Sequence, residues 1–164
     1  VTPDFAELFA FCDLHTSRWR GHPVLRGFVT GPQYYDRHGF PIPGTDDDPM
    51  TACLEWARRR EAATYEEVCV GRDEFPDGSY LSTVWIGLNH AFIGPPLIFE
   101  TMYFSSEIEA FELPTGGTQY ARPSLEFPDP HDGELTDTLR YTTEEEAAAT
   151  HREIARRLRK RWEV

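Results

Sequence analysis

Lysine is nearly missing from this chain: Lys160 stands alone against fifteen arginines, and 28 acids against 16 bases leave a formal net charge of -12. A surface so short of positive charge repels phosphate backbones and anionic lipid, so direct nucleic-acid binding is disfavoured and a cationic partner stays open. Cysteine is scarce as well. Cys12, Cys53 and Cys69 are odd in number and form no C-x-x-C pair, which excludes a disulfide framework and argues for reduced thiols in a cytoplasmic protein. No apolar run approaches the ~20 residues needed to cross a bilayer, and the first residues lack the basic-then-apolar order of a secretory signal, so the expectation is a cytoplasmic protein without a membrane role. Missing too are a G-x-S-x-G elbow, a Walker loop, a G-x-G-x-x-G turn and an H-E-x-x-H pair, which removes the common hydrolase, nucleotide and zinc templates. No cofactor is named by any motif, no spacing supports a metal, and the oligomeric state is not written in the chain.

What is present suits one hydrophobic core: 164 residues, 40% hydrophobic and 13% aromatic. The arginine bias and Val1 at the first position point to a GC-rich gene whose GTG start is read as valine. A second Val-Thr pair at Val29-Thr30 is an alternative start that would make residues 1–28 a mis-called extension. We therefore treat residues 1–33 as a peripheral N-terminal extension and residues 34–164 as a single domain with an insertion at about 105–134.

The spacing of Phe5, Leu8, Phe9 and Cys12 predicts a short helix over Pro3 to Leu14, and a short strand is expected near Val24 to Val29. Asp48 as cap, Pro49 at the first position and an apolar stripe of Met50, Cys53, Leu54 and Ala57 predict a helix from Pro49 to about Ala63. Pro76-Asp77-Gly78 then separates the run from Glu66 to Phe75 from the run Ser79 to Leu88, a strong hairpin signature. A third strand is expected over Leu97 to Phe104, an irregular hairpin between Ser105 and Asp132, and a fourth, edge strand over Leu135 to Tyr141. Thr143 and Glu146 form a capping box for a last helix whose stripe is Ala147, His151, Ile154, Leu158 and Trp162. The acidic triplets Asp46 to Asp48 and Glu144 to Glu146 sit at helix starts, where the macrodipole accounts for them. This order predicts an α+β fold, an antiparallel sheet of about four strands packed against two main helices.

Three residues invite a chemical reading. Glu100 shares a face with Ile98, Met102 and Phe104; if that face is buried the carboxylate must find a donor or keep its proton, and the more frequent outcome is a face open to water with a solvated or Arg-paired acid. His151 lies on the apolar stripe of the last helix, where a hydrogen-bonded helix-to-sheet histidine is the more frequent outcome. His90 ends the second strand. Were the three to meet, they would form a His-Glu-His cleft for a metal or for acid/base work. Trp85 with Tyr80 has the rings to stack a ligand, although aromatics in a central strand are most often core. Phe92 and Ile93, between breakers, either fold back onto the core or make a contact loop.

Several motifs also carry a resemblance. Tyr34-Tyr35-Asp36-Arg37-His38-Gly39-Phe40-Pro41-Ile42, then Trp56, Ser82 to His90, Pro96 to Phe104, and Arg140 to Ala147 with His151 together resemble a group of small uncharacterised phage and actinobacterial proteins. The resemblance spans Tyr34 to about Ile154 and includes positions matching His90, Glu100 and His151. It implies no activity. Residues 1–33 lie outside the family's pattern, and Ser105 to Glu134 is longer than the turn usual there. The favoured expectation is a non-enzymatic phage- or prophage-type accessory protein. It would bind a host or viral protein through the Asn89 to Pro96 loop, a sheet edge, or the segment Tyr34, Tyr35, Asp36, Arg37 and His38. The alternative is a small hydrolase-like enzyme or ligand-binding protein using His90, Glu100 and His151.

Overall fold

The computed structural model describes residues 34–42, 49–91, 94–112 and 117–163. The expected helix over Pro3 to Leu14, the strand near Val24, the Asp48 cap and the side chain of Phe92 lie outside the described residues.

The chain forms an antiparallel sheet with helices packed on it, an α+β fold. Helix α1 (Pro49–Ala62) and the single turn α2 (Tyr65–Val68) precede strand β1 (Cys69–Glu74). Thr64 caps α2 and exchanges bonds with Glu67 in a capping box, so part of the run expected to be strand opens as helix. Gly78, at φ +83°, turns the chain back into β2 (Tyr80–Trp85), and Asp77 Oδ1 accepts from Ser79 N at 3.0 Å and from Ser79 Oγ at 2.5 Å. Strand β3 (Phe99–Phe104) pairs with β2, and the hairpin of β4 (Glu109–Glu112) and β5 (Thr118–Ala121) follows. Short strands β6 (Ser124–Leu125), β7 (Phe127–Pro128) and β8 (Leu135–Thr136) lead to β9 (Thr138–Tyr141). The main sheet runs β1-β2-β3, and both β6 and β9 pair with β3. The expected strand over Leu135 to Tyr141 is thus two pieces: β8 joins β7, and only β9 joins the main sheet, at its edge.

Helix α3 (Glu144–Arg159) covers one face of this sheet. Thr143 Oγ1 accepts from Glu146 N at 3.2 Å, the first turn is acidic and the last is basic, so both ends complement the helix dipole. Because register pairs Leu81 with Tyr103, Thr83 with Thr101 and Trp85 with Phe99, the helix-facing side chains fall into three rows. At one end Leu81 and Tyr103 pack with Phe75, Phe127, Ile154, Ala155 and Leu158. At the other, Trp85 and Phe99 pack with Tyr35, Ile98, Tyr141 and Ala147. Ile154 and Leu158 are essentially fully buried, each contributing on the order of 1.5–3 kcal/mol. Between the two apolar clusters lies a row of small and polar residues: Gly71, Thr83 and Thr101.

Two helical stripes differ from expectation. Trp162 is 44% exposed in a 3-10 turn (Lys160–Trp162) that leaves the axis of α3, so the stripe ends at Leu158. In α1, Leu54 is 64% exposed, and the inward side carries Ala52 and Arg60 instead. The cause is polar. Arg60 Nη1 donates to Trp85 O at 2.9 Å, its guanidinium lies 5.5 Å from the centre of the Trp85 ring, and Trp56 Nε1 donates to Ile86 O at 2.9 Å. Those bonds rotate α1 so that a guanidinium faces inward, with its aliphatic stem buried alongside.

Candidate functional site

His151 is held on both ring nitrogens. Nε2 lies 3.0 Å from Asp73 Oδ2 and Nδ1 2.7 Å from Thr83 Oγ1, which is in turn 2.5 Å from Thr101 Oγ1. A carboxylate only accepts, so Nε2 carries the proton and Nδ1 accepts from the Thr83 hydroxyl, which leaves Thr83 oxygen to accept from Thr101. The other carboxylate oxygen of Asp73 is held by Arg159, one helical turn pair beyond His151. Space for the ring comes from Gly71, where a Cβ would stand 2.7 Å from His151 Cδ2. The bulge between Cys69 and Gly71 is what sets this glycine opposite Thr83. Burial pushes the imidazole below the usual histidine range; Asp73 pulls it back, and Arg159 and Arg152 push it further down. Beside this row, burial pushes the Tyr141 phenol up to about 12 against the pull of the Thr101 and Thr150 hydroxyls.

Asp73, His151 and Thr83 are connected like an acid, base and nucleophile. Access is what they lack. Thr83 and Thr101 have no exposed surface and His151 is 4% exposed, so the hydroxyl presents no surface to a substrate. The chain of bonds satisfies polar groups between two apolar clusters and fixes the register of helix on sheet.

Glu100 does not join it. Strand alternation puts Glu100, Met102 and Phe104 on the face opposite Phe99, Thr101 and Tyr103, and so opposite α3. There Glu100 Oε2 accepts from Arg140 Nε at 2.9 Å, its direct cross-strand neighbour. The expected face-sharing with Met102 and Phe104 is present, but the sheet separates this carboxylate from His151. His90 lies in the half-buried connection after β2, where its backbone N donates to Leu97 O at 3.3 Å. The His-Glu-His cleft is therefore not assembled, and among the described residues no group of three or more His, Cys, Asp or Glu is placed to hold a metal.

Tyr34, Tyr35, Asp36 and Arg37 form a clasp onto the sheet end and the helix start. Tyr34 bridges Leu88, its ring lies 5.6 Å from that of Trp56, and burial and the neighbouring Cys53 push its phenol up to about 12. Tyr35 is buried, and its N donates to Gly87 O at 2.8 Å. Arg37 Nη2 donates to Glu144 Oε1 at 2.5 Å and Nε to Oε2 at 2.7 Å; the same guanidinium reaches the carbonyls of Glu66, Glu67 and Cys69. One arginine thus ties this segment to α2, β1 and α3, and it holds the Glu144 carboxyl below the usual range.

Sequence reasoning singled out those anchors and passed over what they present. Asp36 Oδ1 accepts from His38 N and Phe40 N, both at 2.9 Å, Asp36 N donates to Phe40 O at 2.9 Å, and Gly39 turns at φ +82°. On this pinned turn Phe40 is 67% exposed. Through Arg37 and His38 the same turn borders a concavity of about 460 Å³, lined also by Arg58, Arg59, Glu67 and Trp85, with Ala62 and Ala63. Trp85 is otherwise core, 5% exposed beneath Arg60. The signal for Phe40 was its place between Gly39 and Pro41, where a large aromatic has no periodic partner. Compared with known proteins, the chain matches no family model, no curated protein and no solved structure.

Proposed function

We propose that this chain is a non-enzymatic accessory protein, of the phage or prophage type it resembles, that binds a protein partner through the turn from Asp36 to Phe40. One observation carries the reading: a large aromatic side chain stands 67% exposed on a turn that four hydrogen bonds already hold in shape. A backbone already fixed in the turn loses little conformational entropy on docking, which lowers the cost of using Phe40 as an interface anchor. The arginine-lined concavity beside it supplies a polar neighbour, so the complementary partner offers an apolar pocket for Phe40 next to an acidic group. The position of Glu100 on the sheet face opposite His151 supports the binding reading over the His90, Glu100 and His151 alternative.

The test places a photocrosslinking amino acid at position 40 and, in a second protein, at exposed Leu135. Irradiation in cells of the native host should give one discrete adduct from position 40 that is absent from position 135. Equal labelling from both positions, or none from position 40, refutes the reading.

A further inference from the structure

We infer that the concavity at the foot of the Phe40 turn is a carboxylate-binding subsite, which takes an acidic side chain of the partner. The inference rests on the protein-binding reading and names the chemistry that reading leaves open. Four arginines gather near this place, but three are not available in the same way. Arg37 spends its guanidinium on Glu144 and three backbone carbonyls, and Arg60 is buried against Trp85. Arg58 and Arg59 share a single partner, Glu55: Arg58 uses Nε and Nη2 at 2.9 and 3.0 Å, Arg59 only Nε at 2.8 Å. Two guanidiniums thus hold one carboxylate, driven down to about 2 by them. Both terminal nitrogens of Arg59 have no hydrogen-bond partner among the described residues, a fork of the spacing that carboxylates accept in bidentate fashion.

Charge selects among anions. The lining holds Glu67, whose carboxylate also accepts from Thr64 N at 2.7 Å. One surplus guanidinium beside a fixed negative group suits a monoanion and opposes a phosphate dianion. The chain's net charge of -12 slows the approach of any acidic partner, but at physiological ionic strength that repulsion is largely screened beyond about 8 Å, so direct contact with the guanidinium decides. Ala62, Ala63 and Trp85 give the wall an apolar part that fits the methylenes of an acidic side chain.

The experiment titrates the full chain with acetate and, separately, with inorganic phosphate at constant ionic strength set by chloride, following amide and side-chain N–H signals by NMR. The expected result is saturable shifts at Arg59, His38 and the Trp85 indole. Acetate should bind more tightly than phosphate and about ten-fold more weakly in Arg59→Gln, the equivalent of ~1.4 kcal/mol. The spectrum of the variant reports its fold in the same sample, and Arg58→Gln serves as the second variant. Tighter phosphate binding, linear shifts, or unchanged affinity in both variants overturns the inference. Crosslinking from position 40 is read separately. An adduct there without acetate binding removes the subsite and leaves the partner; acetate binding without the adduct does the reverse.

Discussion

Replacing Thr83 with valine keeps the shape of a fully buried side chain and removes one oxygen that serves two hydrogen bonds. In the native protein that oxygen accepts from Thr101 at 2.5 Å and its proton goes to His151 Nδ1 at 2.7 Å. Thr83→Val therefore orphans the imidazole acceptor and the Thr101 hydroxyl together, both of them buried. Each orphaned buried group costs about 1–3 kcal/mol. The more apolar valine and a rotation of Thr101 toward Tyr141 offset part of this, so we expect a net loss of roughly 2–4 kcal/mol. In thermal unfolding this is a fall of several degrees, at about 2–4 °C per kcal/mol for a chain of this size. Thr138→Val is the internal contrast. The Thr138 hydroxyl is buried and has no hydrogen-bond partner among the described residues, so the same change there removes none of their bonds and should be neutral or stabilising by up to ~1 kcal/mol. Urea unfolding followed by tryptophan fluorescence, with a common slope, measures both. The double variant Thr83→Val/Thr101→Val should lose less than the sum of its singles, because only the imidazole stays orphaned. A Thr83→Val loss below ~0.5 kcal/mol, or similar losses at positions 83 and 138, would refute the reasoning.

Two further outcomes follow from the same row. The folded-state value of His151 is depressed, so its contribution to stability is whole above the unfolded histidine value of about 6.5 and is lost as pH falls through the lower folded value. Unfolding midpoints of the native protein should drop between neutral pH and pH 5 more steeply than those of His151→Gln, and parallel slopes would contradict this. In Gly71→Ala the new methyl would meet the imidazole at 2.7 Å, with 2.9 Å to its Cγ and Nε2, and the ring has nowhere to move between Asp73 and Thr83. A loss of about 1–3 kcal/mol is expected in chemical denaturation, and a neutral substitution would show that helix and strand are not so closely packed.

The hairpin of β1 and β2 was legible because Pro76-Asp77-Gly78 encodes its turn locally, and α3 because Thr143 and the acids after it mark a start. Alternation correctly grouped Glu100 with Met102 and Phe104, yet it does not say which face a helix covers. Both faces here carry apolar residues, Leu81, Trp85 and Tyr103 on one, Val84, Met102 and Phe104 on the other. The notch that receives His151 is formed across three strands by Gly71, Thr83 and Thr101, so it exists only once register is set. A histidine on an apolar stripe signalled a buried partner without naming it. Helix α1 misled for a related reason: Leu54 has the hydropathy of a core residue, but the carbonyls of Trp85 and Ile86 recruit Arg60 and Trp56, and long-range acceptors leave no mark in a local pattern.

The Asp73, His151 and Thr83 chain is a closed brace inside the fold. Modification of the native protein by diethyl pyrocarbonate, read by peptide mass spectrometry, tests this directly, with exposed His38 and His131 as internal references. His38 and His131 should react while His151 stays unmodified until denaturant opens the core. Modification of His151 at the rate of His131 in the folded protein would contradict it.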